Sequence, residues 1–215
     1  MAMKYRGSIL NLFSLLLKKP MNRMYGRDVT RKALKGAKPI YRDMLTKTED
    51  IGSGNIMAMN IYMAYVFLAI WKAADGKIGL QDFREVTKEF IHRPVVQLFM
   101  GGRDVNRPKD MEKLKASIYH AQAWVEKHPE YKDKTWDFNF DESLHKDGFY
   151  YYFTRCPIEK FARENGFLEI LPVACDLDHL TAESMHAILY REQTLATGGT
   201  MCDYWFVPDR IKDPK

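Results

Sequence analysis

The stretch TWDFNFDESLHKDGFYYYFTRC, residues 135–156, marks the point where the sequence changes period. In its first eight residues Trp136, Phe138 and Phe140 alternate with Asp137, Asn139 and Asp141, the pattern of a strand with one wet face. Gly148 then opens a second, aromatic strand running towards Cys156. Further along, His186–Leu195 and Cys202–Val207 read as two more strands. The Thr197-Gly198-Gly199-Thr200 step joins them as a tight hairpin turn. Four such strands with short helices between them predict an antiparallel sheet, and hence an α+β fold.

Upstream the period is helical. Ile9–Leu17 forms an apolar run suited to a helix docked on a core. Val29–Thr46 reads as a helix that breaks or kinks at Pro39. Asn55–Ala74 is apolar on nearly every face, as in a helix enclosed by neighbours. Leu80–His92 and Lys109–His128 are amphipathic, the first through Leu80, Phe83, Val86 and Phe90, the second through Met111, Leu114, Ile118, Ala121 and Val125. The expected organisation is one domain over 1–215. A mainly helical half (1–130) packs on a sheet half (131–215) that carries the Cys and Asp motifs.

With 215 residues, 46% hydrophobic and 28% charged, the composition is that of a globular chain. Three widely spaced cysteines, an odd number, argue against a disulfide framework and for a reducing, cytoplasmic setting. Lys18-Lys19-Pro20 follows the first apolar run where a signal peptide would have a small-residue cleavage site. The uncharged stretch Ile56–Trp71 falls short of the roughly 18–20 residues that span a bilayer. Residues 1–50 hold 12 Lys or Arg against 4 Asp or Glu, a local +8 against +5 overall, so the rest carries −3. Those charges are spread around helical turns without interleaved stacking aromatics. They read as a solvated surface, with neither nucleic acid nor membrane expected as a partner. The sequence carries no signal for an oligomeric state.

The chemistry-bearing residues gather in the second half. Pro157 suits a first helical position and Asn165-Gly166 a helix stop, so Cys156 falls at an N-cap. There it is either a thiolate favoured by the helix dipole, from a free value of about 8.5, or a small buried thiol. Cys175 precedes Asp176 and Asp178, either of which can cap the next helix or orient a base or water. Cys202-Asp203 follows glycines that serve a plain turn or a close backbone approach to a ligand. Gaps of 18 and 26 residues separate the three cysteines, which is not zinc-finger spacing, and His179 and His186 read as surface and strand-start residues. No metal or other cofactor is expected.

CPIEKFARENGFLEILPVACDLDH followed by LYREQTLATGGTMCDYWF resembles the L-2-amino-thiazoline-4-carboxylic acid hydrolase family. The pattern is a Cys opening a helix (Cys156), Cys-x-x-Asp (Cys175, Asp178), Thr-hydrophobic-Ala (Thr194-Leu195-Ala196), a glycine turn (Gly198-Gly199) and Cys-Asp-aromatic (Cys202-Asp203-Tyr204). The resemblance covers about residues 150–207. It implies ring-opening hydrolysis of a small cyclic 2-aminothiazoline carboxylate to an N-carbamoyl amino thiol. Under that implication Cys175 or Cys156 is the nucleophile, with Cys202 in the same site, and Asp178 positions a proton donor or the water. Asp203 bonds the exocyclic amine, Arg191 clamps the substrate carboxylate, and Thr194 and the Gly199 backbone bond the developing charge. The three thiols are expected to meet Asp178 and Asp203 around one hollow. The rival readings are a non-catalytic small-ligand or metal-binding module with a Cys-lined pocket, and a helical interaction protein using the basic N-terminal part.

Overall fold

The structure is a computed structural model that describes residues 1–99, 102–141 and 143–215. Its elements are α1 (Gly7–Lys47), α2 (Ala58–Ala73), α3 (Leu80–Ile91), α4 (Pro94–Phe99), α5 (Pro108–Lys127), β1 (Phe138–Asn139), β2 (Phe149–Phe153), α6 (Pro157–Asn165), α7 (Leu171–Cys175), α8 (Leu177–Ser184), β3 (Ala187–Tyr190) and β4 (Cys202–Pro208). The α+β class read from the sequence is therefore the class found. The chain sorts into two compact units, Met1–Phe90 with Phe161–Cys175, and Ile91–Lys160 with Asp176–Lys215.

The first unit is helical. Leu17, Met21, Ala37 and Tyr41 of α1 are buried with Ile61, Tyr65, Val66 and Leu68 of α2 and Phe83 of α3. Within this core Phe67 meets Phe83 and Phe90 edge-on, and Tyr65 lies 4.7 Å from the Phe161 ring. The enclosed character expected of Asn55–Ala74 is found in α2. The expected break at Pro39 is not found. Pro39 lies inside α1, and the non-helical residue is Gly26, at φ 78° and ψ 166°. A proline removes one helix hydrogen bond, whereas the φ and ψ of Gly26 leave the helical region altogether, and glycine takes a positive φ without strain. No described helix is long and apolar enough to cross a membrane.

The second unit is built on a four-stranded antiparallel sheet in the order β1-β2-β4-β3. The central pair has Tyr151 opposite Tyr204 and Phe153 opposite Cys202, and β3 adds Leu189 opposite Phe206. Alternation puts Phe149, Tyr151, Phe153, Cys202, Tyr204, Phe206 and Leu189 on one buried face. The Tyr151 and Tyr204 rings stack on that face, 4.9 Å apart and 3° from parallel. Tyr150, Tyr152, Asp203 and Trp205 take the opposite face.

Two strand expectations are corrected. The first strand shrinks to Phe138–Asn139 because its polar residues bond elsewhere. Asp137 accepts the N–H groups of Thr154 and Arg155, and Asp141 accepts Ser143 N–H. Glu142 lies outside the described residues. The β3–β4 hairpin exists, but residues 191–201 join it as a long loop with a 3-10 turn at Leu195–Thr197, not as a tight glycine turn. Polar bonds inside the loop hold its shape. Asp203 accepts the N–H of Glu192 and of Gln193, and Gln193 Oε1 accepts Thr200 N–H.

Candidate functional site

On the buried face of the sheet α8 meets β4 and the chain leaving β3. Asp178 stands in the first turn of α8, Arg191 follows β3 directly, and Tyr204 is the third residue of β4. Arg191 Nη2 donates to Asp178 Oδ2 at 2.7 Å, and the Tyr204 hydroxyl donates to the same oxygen at 3.0 Å. The guanidinium carbon also lies 4.2 Å from the centre of the Tyr204 ring, a cation–π stack. Only 4% of the Arg191 side chain is exposed, against 40% for Asp178. A buried cation thus fixes one oxygen of a carboxylate whose other oxygen has no hydrogen-bond partner among the described residues.

The neighbouring groups are shifted in ways that follow from this arrangement. Burial pushes the Tyr204 phenol well up, the Asp178 charge adds to the shift, and Arg191 opposes it. Tyr151 is raised by the same causes. His179, next along α8, is lowered by burial and then by Arg191, with Asp178, Asp176 and Glu183 opposing, which favours the neutral imidazole.

For Cys156 the sequence left two readings open, a thiolate favoured by the helix dipole and a small buried thiol. Cys156 does sit immediately before α6 and is bonded by the N–H groups of Glu159 and Ile158 and by the Trp136 side chain. These contacts favour a thiolate, as read from the sequence. Burial is the larger effect, and Cys202 adds repulsion, so the thiol is pushed up to about 12 instead of down. Cys202 accepts the Leu195 N–H at 3.3 Å and is pushed up to about 11, again chiefly by burial. A dipole acts through a few partial charges, while removing water penalises the whole anion. Both thiols are protonated at neutral pH.

The remaining expected site residues are placed as follows. Cys175 ends α7 in the helical unit, whereas Cys156, Cys202 and Asp178 belong to the sheet unit. Asp203, adjacent to Cys202, points to the opposite face, where both its oxygens hold the 191–201 loop. The Thr194 hydroxyl pairs with that of Thr197, and the Gly199 N–H donates to Thr194 O, so these two groups shape the same loop. No disulfide joins the cysteines. No three His, Cys, Asp or Glu among the described residues are grouped to hold a metal ion. Tyr204, Tyr151 and His179 were not singled out from sequence as site groups. For Tyr204 a signal existed, since its position two residues after Cys202 puts both on one face.

The sequence model described as L-2-amino-thiazoline-4-carboxylic acid hydrolase matches residues 59–206, more than half of the chain. No curated protein and no solved structure matches.

Proposed function

Since the chain belongs to the L-2-amino-thiazoline-4-carboxylic acid hydrolase family, we propose that it hydrolyses a small cyclic C–N/C–S compound of the 2-aminothiazoline-4-carboxylate type, and that Asp178 acts on the attacking water. The observation that carries this reading is the half-exposed Asp178 carboxylate, fixed through Oδ2 by Arg191 and Tyr204 and open at Oδ1. Water held at Oδ1 gives its proton to the carboxylate as its oxygen bonds to the amidine-like ring carbon. A tetrahedral centre forms, and the ring C–S bond then breaks. The sulfur takes the proton from Asp178, the former water oxygen becomes a carbonyl as its hydrogen passes to nitrogen, and an N-carbamoyl amino thiol results. One carboxylate serves first as base and then as acid.

Arg191 is a positioning residue in this scheme. Its side chain is buried and committed to Asp178, so it orients the carboxylate instead of clamping substrate. Asp203, Thr194 and Gly199 set the loop that carries Arg191. Protonated Cys156 and Cys202 favour water over thiolate as the nucleophile at this cluster. Turnover of 2-aminothiazoline-4-carboxylate tests the assignment. Asp178→Asn should lower kcat by about 10²–10⁴-fold, while Cys156→Ala and Cys202→Ala stay within about tenfold. Full turnover by Asp178→Asn would overturn it. Loss of turnover in Cys175→Ala, with a covalent substrate adduct on the native protein by intact mass, would move the nucleophile to sulfur.

A further inference from the structure

Helix α1 carries ten Lys or Arg and only two acidic residues, Asp28 and Asp43. All ten basic residues are exposed. After the Gly26 break, Arg27, Arg31, Lys35, Lys38 and Arg42 recur every three or four residues. At about 100° per residue they fall within an arc of about 80°, along about 22 Å of axis. The two carboxylates do not break this stripe. Asp28 pairs with Arg31 at its flank, and Asp43 pairs with Lys47 on another side. Arg42 lies over the Tyr5 ring. Helical geometry therefore gathers on one line charges that read in sequence as evenly spread.

The same helix exposes aliphatic side chains before the break. Leu12 is 41% and Leu15 69% exposed, and the exposed Lys18 and Lys19 come about one turn after Leu15. The break itself leaves a groove of about 670 Å³, lined by Leu15, Lys18, Arg27, Arg31 and Leu34 among others. Cations beside exposed leucines on one surface helix match the layered chemistry of a bilayer interface, anionic head groups above hydrocarbon. A nucleic acid would satisfy the cations but offers nothing to the leucines, and the exposed ring beside the stripe, that of Tyr5, is already stacked under the Arg42 guanidinium. The geometry points to α1 as a docking face for an anionic lipid surface, with the stripe on the head groups and Leu12 and Leu15 at the hydrocarbon boundary. It is independent of the hydrolytic reading.

Vesicle flotation with the full chain tests this. The protein should float with phosphatidylcholine vesicles containing about 30 mol% phosphatidylserine and not with phosphatidylcholine alone. Binding should be lost near about 0.5 M salt, where screening shortens the reach of each charge. Lys35→Gln with Lys38→Gln, both exposed and outside the core, should weaken binding about 25-fold, from the usual contribution of each basic residue near an anionic surface. Leu15→Ser should weaken it several-fold. Equal flotation with neutral vesicles, no flotation at low salt, an unchanged affinity in both variants, or tighter binding to duplex DNA than to the anionic vesicles would each overturn the inference. The two lipid compositions and the DNA arm decide with the native protein alone, should a variant fail to fold.

Discussion

Replacing Arg191 by Leu removes the cation that fixes Asp178 while keeping an apolar side chain in the buried space. The Arg191 to Asp178 bond is charge-assisted, at 2.7 Å, and one partner is 4% and the other 40% exposed. A hydrogen bond to a charged group contributes about 1.5–3 kcal/mol, and the exposure of Asp178 argues for the lower end, about 1.5. The stack on Tyr204 at 4.2 Å adds about 1 kcal/mol. The sum is about 2.5 kcal/mol, or a Tm lowered by about 5–10 °C for a chain of this size. Calorimetry and urea unfolding read the loss directly. A double-mutant cycle with Asp178→Asn isolates the pair, and its coupling should be about 1–1.5 kcal/mol. Additive effects, with coupling below about 0.3 kcal/mol, would show that the two groups do not hold one another, and the reasoning about Asp178 would fail with them.

Alkaline stability should report the raised thiols. Unfolded thiols ionise near about 8.5, whereas folded Cys202 and Cys156 hold their protons to about 11 and about 12, so stability is intact below about pH 8.5 and falls above it, by up to about 1.4 kcal/mol per pH unit per thiol. Urea midpoints between pH 7 and 10.5 should show this slope, and the Cys156→Ala/Cys202→Ala pair should flatten it; an equal slope in both proteins would contradict the burial argument. Gly148→Ala should destabilise by at least about 2 kcal/mol, because φ is +79° and a Cβ would stand 2.1 Å from the Phe206 carbonyl oxygen; a native-like Tm would be inconsistent with that packing. Asp203→Asn, which loses one of two charge-assisted acceptors, should cost about 1–3 kcal/mol and raise amide exchange at Glu192 and Gln193, and unaltered exchange there would remove the loop-anchoring role.

Much of the architecture is local information. The alternation in GFYYYFTRC and CDYWF fixed which residues share a sheet face, since successive side chains of a strand point opposite ways whatever lies around them. The same rule separates Cys202 from Asp203, though the sequence reading placed both around one hollow. The apolar run of α2 specified a buried helix because no orientation could leave one wet face. The break in α1 was harder to place, as Pro39 and Gly26 both disfavour a regular helix and the chain leaves helical geometry at Gly26. The 191–201 loop escaped because Asp203 and Gln193 reach across several residues to bond its backbone, and a Gly-Gly step gives no sign of such anchors.

For the candidate site the division follows range. Sequence spacing put Cys156 at a helix start and made Asp176 or Asp178 a cap of the next helix, because such signals act over a few residues. It gave the sign of the helix effect on Cys156 but not the opposing cost of lost water, which depends on what packs around the sulfur. The joining of Asp178, Arg191 and Tyr204 at one oxygen is likewise set by how α8 lies on the sheet. Short-range periodicity determined the backbone and its faces; desolvation and charge pairing, which act through space between distant segments, were decided only when the chain folded.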